Sequence, residues 1–332
     1  MVEYRNTFGN GAGIVTIRRV FMKRLVTALA LVLMMCGAAH AAFPTKDVKV
    51  IVPFAPGGGV DVTVRFLSEV APKYLGGKNL IVENMPGGGA VIGQTAGAKA
   101  RADGYTLLAY TSSVVSNPMQ KKTTYTHKDF QLINMYCFDP EVLVVPKDSP
   151  FKTLKDFIEA SKKDQISMAT PGHSTSHHLA AQLLEKQFGS KFGYVHTSSS
   201  AQQMTQILGG HVQCSMMALG EIANYLKDGS LVVLGLMSDG KFPGADNIPR
   251  FSSVGMTTEW GAFRGIAAPA KTPKDVVKYL SDAFEKMAND PAFVARMDKA
   301  GYPMQVYNAE QFSKYVDEVA KIYGELLKPA AK

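Results

Sequence analysis

The sequence predicts an α/β protein of two lobes, each a mostly parallel sheet flanked by helices. Three observations carry that expectation. Strand-like and helix-like patterns alternate along most of the chain with short connections, as in parallel sheets covered by helices. The strands are too many for one small sheet, and 332 residues suffice for two cores. A strand, a glycine turn and a helix start also occur twice in close succession, first in VKVIVPFAPGGGVD at 48–61 and again at 80–100.

The first of these units opens with an apolar run at 48–54, long enough for a buried strand and too short for a helix. Pro56 ends it, and Gly57, Gly58 and Gly59 turn the chain. A helical pattern starts near Val60, with Val64, Leu67 and Ala71 on the same face. Glycine admits close backbone approach to a ligand, and first-turn N–H groups have no partner inside the helix, so such a turn suits an anion. Residues 80–83 repeat the strand, Pro86-Gly87-Gly88-Gly89 the turn, and 90–100 a helix of small residues. Two such turns at neighbouring strand ends face one crevice.

Residues 106–110, 131–137 and 141–145 read as strands, and Thr111-Ser112-Ser113 follows the first of them. Thr153 and Asp156 stand at capping-box spacing in a helix at 151–163. A strand at 167–170 leads through Pro171-Gly172-His173-Ser174-Thr175-Ser176 into a helix at 177–188, which Gly189 stops. A strand at 193–196, a hydroxyl-rich turn at 197–200 and a helix at 201–208 follow. Strands at 212–216 and 231–236 enclose a short helix at 221–227. Residues 238–262 are irregular, and 265–268 is a last strand. Thr272-Pro273 open a helix with Val276, Val277, Leu280, Phe284 and Met287 on its apolar face. The terminal helix, 308–328, is expected to bury Phe312, Tyr315, Val319, Ile322 and Leu326.

Basic residues precede an apolar run at 25–35, and Ala39-His40-Ala41 forms an A-x-A cleavage site, so residues 1–41 read as a secretory signal peptide. Two readings of its start remain open. Arg18-Arg19 fits a twin-arginine signal. Met22 would instead begin an ordinary Sec signal, making 1–21 an artefact of start choice. Cys36 follows the bulky Met35, so lipidation is not expected. No later stretch is long and apolar enough to span a membrane.

The leader holds five basic residues and one acid; the rest carries 31 Lys/Arg against 27 Asp/Glu, a net of +4. That mild charge, without a dense basic block, does not point to nucleic acid. Cys137 and Cys214 lie in apolar, strand-like runs and are expected as buried free thiols; a disulfide stays open.

Together, Val52-Pro53-Phe54-Ala55-Pro56-Gly57-Gly58-Gly59 with Asp61, Val82-Glu83-Asn84, Asp103-Gly104-Tyr105-Thr106-Leu107, Asn117-Pro118 and His178-Leu179-Ala180 carry a resemblance, as do Leu208-Gly209-Gly210, Ala268-Pro269 and Thr272-Pro273. In this order they resemble the TctC/Bug family, the periplasmic substrate-binding receptors of tripartite tricarboxylate transporters, over residues 42–328. The resemblance implies a two-lobed periplasmic-binding-protein fold of type II kind with an interdomain cleft that closes like a flytrap. It places residues 42–142 and 262–332 in one lobe and 143–261 in the other. It implies a monomeric periplasmic receptor for a small di- or tricarboxylate, aromatic ones included, partnered by the membrane subunits of such a transporter, with no catalysis, cofactor or metal. The ligand-binding residues it implies are Phe54, Pro56, Gly57, Gly58, Asp61, Gly87, Gly88, Thr111 and Ser112 from the first lobe, and Thr170, Gly172, Ser174, Thr175, His178 and Thr197 from the second, with Arg264.

The chain departs from the family pattern at Thr197-Ser198-Ser199, where many members have Tyr-Lys-Gly, and at Met217, where many have an acid. Phe263-Arg264-Gly265 is close to the tricarboxylate branch's Trp-Arg-Gly. An arginine gained and an acid lost suit a ligand with carboxylates and no ammonium group.

Each residue also has a plainer reading. The glycines would turn a strand into a helix in any protein, and Asp61 is expected to fix its loop, since a carboxylate repels an anion. His173, His177 and His178 lack acidic or thiol companions for a metal, which leaves His178 as a donor or loop orienter. Trp260 either lines the cleft or covers the hinge, and Tyr225, Tyr302, Tyr307 and Met216-Met217 read as core.

An enzyme reading is weak: no G-x-G-x-x-G or Walker lysine follows the first strand, and Ser174 is not in a G-x-S-x-G elbow. A receptor that signals to a sensor kinase would have the same sequence features.

Overall fold

A 17-residue strand, β4 (Phe130–Pro146), runs through both halves of the molecule. Its first part pairs antiparallel with β9 (Gly261–Pro269), from Phe130 opposite Pro269 to Pro140 opposite Gly261. From Glu141 on it pairs instead with β7 (Cys214–Ala218) and β8 (Leu231–Leu236). The change falls between Pro140 and Glu141, and the chain returns between Trp260 and Gly261, where the Glu141 N–H donates to Trp260 O at 2.9 Å. The sequence suggests two strands here because proline supplies no ladder donor. Burial overrides that signal, since nearly every residue of the run is buried.

The computed structural model describes residues 43–327. The leader, its cleavage site, Cys36 and both readings of the start lie outside them. Among the described residues, ten strands form one continuous sheet. Its first half orders β2 (Leu80–Asn84), β1 (Val48–Val52), β3 (Thr106–Thr111), β9 and β4, with β10 (Met304–Asn308) also on β4. Its second half orders β4, β7, β5 (Ile166–Thr170) and β6 (Phe192–His196). Parallel pairing holds in β2–β1–β3 and in β7–β5–β6, as the alternation predicts. Pairings of β4 and β9 are antiparallel, because these strands carry the chain between halves.

Ten helices cover the described sheet. In the first half, α1 (Gly59–Val70), α2 (Val91–Lys99) and α3 (Ser112–Gln120) follow β1, β2 and β3. In the second, α4 (Leu154–Lys163), α5 (Ser176–Phe188), α6 (Ser200–Leu208) and α7 (Leu219–Lys227) follow β4, β5, β6 and β7. The chain then returns to the first half with α8 (Lys274–Ala288), α9 (Pro291–Ala300) and α10 (Ala309–Leu326).

Helix α3 is unread in the sequence because Ser-Ser and Pro118 signal a turn. It forms because Val114 and Val115 are wholly buried and its polar groups are paired: the Ser113 hydroxyl accepts from Gln94 Nε2, and Asn117 Nδ2 donates to Gly89 O and Gln94 Oε1.

Two expectations about packing change. Helix α10 buries Phe312, Val316, Val319 and Tyr323, while Ile322 is 47% exposed. Its phase is set by Tyr323 stacking on Trp260 with ring centroids 4.8 Å apart. The expectation of Val276 and Val277 inward on α8 gives way to Leu280, Ala283, Phe284, Met287 and Ala288. Cys137 and Cys214 are free and buried. None of the described helices is long and apolar enough to cross a membrane.

Candidate ligand-binding site

The carboxyl end of β3 leads straight into α3, those of β1 and β5 lead through short loops into α1 and α5, and the three helix starts border one cavity between the halves. Their N-cap residues are Gly58, Thr111 and Thr175, and none gives its helix a side-chain cap. Gly58 has no side chain to offer. The Thr175 hydroxyl instead donates back to Gly172 O at 2.8 Å. First-turn amides that lack such caps, with the helix dipoles behind them, make a seat for negative charge. Two more helices, α6 and α7, complete the wall through Ser200 and Glu221, but their first turns are engaged: Ser199 Oγ accepts from the Gln202 N–H and Asp139 Oδ1 from the Gly220 N–H.

The space at the helices' meeting point is about 40 Å³, small beside the roughly 300–1,000 Å³ of pockets that hold organic ligands. Direct bonds hold the halves together. The Ala55 N–H donates to Ser198 O at 2.9 Å, the Gly59 N–H to Ser200 Oγ at 3.1 Å, the Ser116 hydroxyl to Ser174 O at 2.6 Å, and Lys121 Nζ to His173 O at 2.7 Å. Burial without a counter-charge lowers the Lys121 ammonium to about 8.

A charged cluster forms one end of the cavity. Arg264, 1% exposed, places Nη2 3.0 Å from Asp139 Oδ2 and 3.2 Å from Glu221 Oε1. Its Nη1 donates to Cys137 Sγ at 3.3 Å, and its guanidinium lies 4.9 Å from the Tyr302 ring centroid. Burial pushes the Asp139 carboxyl up to about 6, with Arg264 pulling the other way. The expectation drawn from Met217 and Arg264 counted no acid here; in the structure Arg264 lies against two, and Glu221, from the helix beyond Met217, brings a carboxyl group to the wall.

Of the sixteen residues expected in the site, Phe54, Gly58, Thr111, Ser112, Thr175 and Arg264 line the cavity. The others stand around it. Pro56 and Gly57 form an exposed turn. Asp61 accepts the Gly57 N–H at 2.9 Å, Asn84 Nδ2 at 2.9 Å and Arg65 Nε at 3.0 Å. Gly87 and Gly88 lie in a loop whose Gly88 carbonyl accepts from Lys121 Nζ. Next to it Gly172, at φ +131°, abuts Gly89, so these glycines seal the closed mouth. Ser174, at φ +64°, is tied by its N–H to His178 Nδ1 and by its hydroxyl to Gln120 Oε1. Burial holds the His178 imidazole down at about 3, assisted by His173, His196 and Lys121, so it accepts as a neutral ring. The Thr170 hydroxyl pairs with His196 Nδ1, and that of Thr197 donates to Thr170 O.

The sequence expectation omits Ser113, Ser176, His177, Ser200 and Glu221, all of which line the cavity. Trp260 does not line it: its Nε1 donates to Ser176 O, and its ring borders a separate groove of about 960 Å³ under α10. Among the described residues no His, Cys, Asp and Glu grouping has metal-holding geometry.

Asp61→Ala should cost about 1.5–3 kcal/mol in urea unfolding, because its bonds are made to a charged acceptor. Burial raises the Asp61 carboxyl, but Arg65, Gly57 and Asn84 outweigh it and hold the group below its usual value. The stabilisation is therefore present above the unfolded value of 3.8 and fades as pH falls through the lower folded value.

Comparison with known proteins agrees with this architecture. A family model described as the tripartite tricarboxylate transporter family receptor matches residues 63–331. A UPF0065 protein from the gbd 5' region of Cupriavidus necator is 29% identical over 313 residues, covering 92% of this chain and 94% of that one. BugT of Bordetella pertussis is 26% identical over 330 residues, covering 94% and 99%. The solved periplasmic binding protein BugD has a TM-score of 0.81 at 27% identity, covering 86% of this chain and 97% of its own. MatC of Rhodopseudomonas palustris, solved with bound malate, shares the fold at a TM-score of 0.80 and 22% identity, covering 86% and 100%. The chain belongs to the receptor family of the tripartite tricarboxylate transporters, a family of periplasmic substrate-binding proteins and not of enzymes.

Proposed function

We propose that the protein is an exported, periplasmic receptor that captures a small di- or tricarboxylate between its halves and delivers it to the membrane subunits of a tripartite tricarboxylate-type transporter. The observation that carries this reading is the convergence on one cavity of three helix starts that their own N-cap side chains leave open. Two of them, α1 and α3, belong to the first half and α5 to the second, so a ligand with an anionic group at each end bridges both walls. Arg264 takes no direct part in that grip, since Asp139 and Glu221 hold it. We place the lobes at residues 43–140 with 261–327 and at 141–260, two residues and one residue earlier than the sequence expectation, because the strand partners change there. They swing about the paired crossings at Pro140–Glu141 and Trp260–Gly261. Two solved proteins of the same fold carry malate and adipate, which supports a carboxylate as cargo.

A thermal-shift panel of di- and tricarboxylates, aromatic ones included, tests the reading on protein first freed of ligand. A cognate acid at a hundredfold excess over its dissociation constant should stabilise by about 2.7 kcal/mol. A flat response across the panel contradicts it.

A further inference from the structure

Glu141 has no role in the carboxylate grip, yet its side chain is 0% exposed at the crossing between halves. Neither of its oxygens meets a donor in hydrogen-bond geometry; the polar groups around it are the Ser176 hydroxyl, the His177 ring, Glu221, Asp139, Arg264 and the Tyr323 phenol. His177 Nε2 lies 3.6 Å from Glu141 Oε1 and 3.5 Å from Glu221 Oε2. The other ring nitrogen fixes the tautomer. Nδ1 is 3.0 Å from Gln203 Oε1. The Gln203 amide nitrogen faces three acceptors, Ala169 O, Ser215 Oγ and Met216 O, so its oxygen must face the ring and Nδ1 must carry hydrogen. A neutral ring would then direct the Nε2 lone pair at two carboxylates, an arrangement that repels unless a proton lies between them.

We propose that Glu141, His177 and Glu221 form a proton-binding site at the floor of the cleft, which takes up one proton as the halves close. The charges around it require one. Arg264 faces Asp139 and Glu221, so an ionised Glu141 would make three buried acids against a single cation. His177 is in the first turn of α5, whose positive end disfavours an imidazolium, so the proton resides on Glu141 and points at Nε2. Burial, then the nearby Glu221, pushes the Glu141 carboxyl well up, and burial pushes the His177 imidazole down; both agree with that placement. The coupling to closure rests on the receptor reading above. Glu141, His177 and Glu221 belong to one half and Asp139 and Arg264 to the other, so parting them wets the site and releases the proton.

Infrared difference spectroscopy at pH 8, malate-bound minus ligand-free protein, tests the site. The expected result is a protonated-carboxyl carbonyl band that appears on binding, shifts in D2O, persists in Asp139→Asn and vanishes in Glu141→Gln. Absence of the band in the wild type overturns the proposal, whatever the variants do. Calorimetry with malate, in buffers of different ionisation heat, tests the coupling. About one proton should be taken up per malate bound, and none in Glu141→Gln. Binding without proton uptake overturns the coupling. No binding of malate or of other carboxylates counts against the receptor reading, whereas binding without the infrared band overturns the proton site alone.

Discussion

Arg264→Met is expected to destabilise the protein by about 3–5 kcal/mol in urea unfolding at pH 7, the usual cost of removing one partner from a buried ion pair. The substitution leaves Asp139 and Glu221 facing each other across a dry gap. Both are nearly inaccessible, with side chains 0% and 7% exposed. Combining it with Asp139→Asn and Glu221→Gln should recover most of the loss, because the penalty lies in stranded charge and not in lost volume. A single-variant change below about 1 kcal/mol would place these groups in water, where ion pairs are worth no more than that. Arginine in a sequence that suggests carboxylate binding invites the opposite expectation, a loss of affinity at unchanged stability.

Gly172→Ala should weaken ligand binding by roughly fivefold to a hundredfold or more, given about 1–3 kcal/mol for an extra carbon in a packed contact. A methyl group there would lie 2.8 Å from Gly89 Cα when the halves meet, and it would occupy φ +131°, where side chains are rarely found. Gly89→Ala has the same effect from the other side, since its methyl would overlap the His173 carbonyl oxygen. Neither glycine lines the cavity, so the loss measures closure and not contact. Titration calorimetry with the acid selected from the panel checks it; unchanged affinity in both variants would mean that capture does not need the glycine-to-glycine seal.

These two predictions also show where sequence reasoning stops. The strand–glycine–helix grammar at 48–61 was legible because apolar run, turn and helix start are local, and the structure places Phe54, Gly58 and Gly59 on the cavity. The second glycine turn has the same grammar and another place: it meets the opposite half. Nothing local separates an amide that faces a ligand from one that faces a neighbouring loop. Glu221 was invisible for a related reason. It is an ordinary acid in the first turn of a short helix, capping Ala218 N–H, and only the crossing of β4 and β9 brings Arg264 to it. Helix α9 did carry its signals, Asp290 as cap, Pro291 in the first turn and Gly301 at the end. Strand β10 lacked any, since all five residues are half-buried and alternate weakly.

The most direct measurement is a crystal structure of the protein with the acid that stabilises it most. One carboxylate is expected within hydrogen-bond distance of the first-turn amides at Gly59 and Ser112–Ser113, a second group at the Ser176 end of α5, and Arg264 still bound to Asp139. A ligand lodged in the groove beside Trp260, or one whose carboxylate displaces Asp139 from Arg264 while the three helix starts face only water, would contradict this.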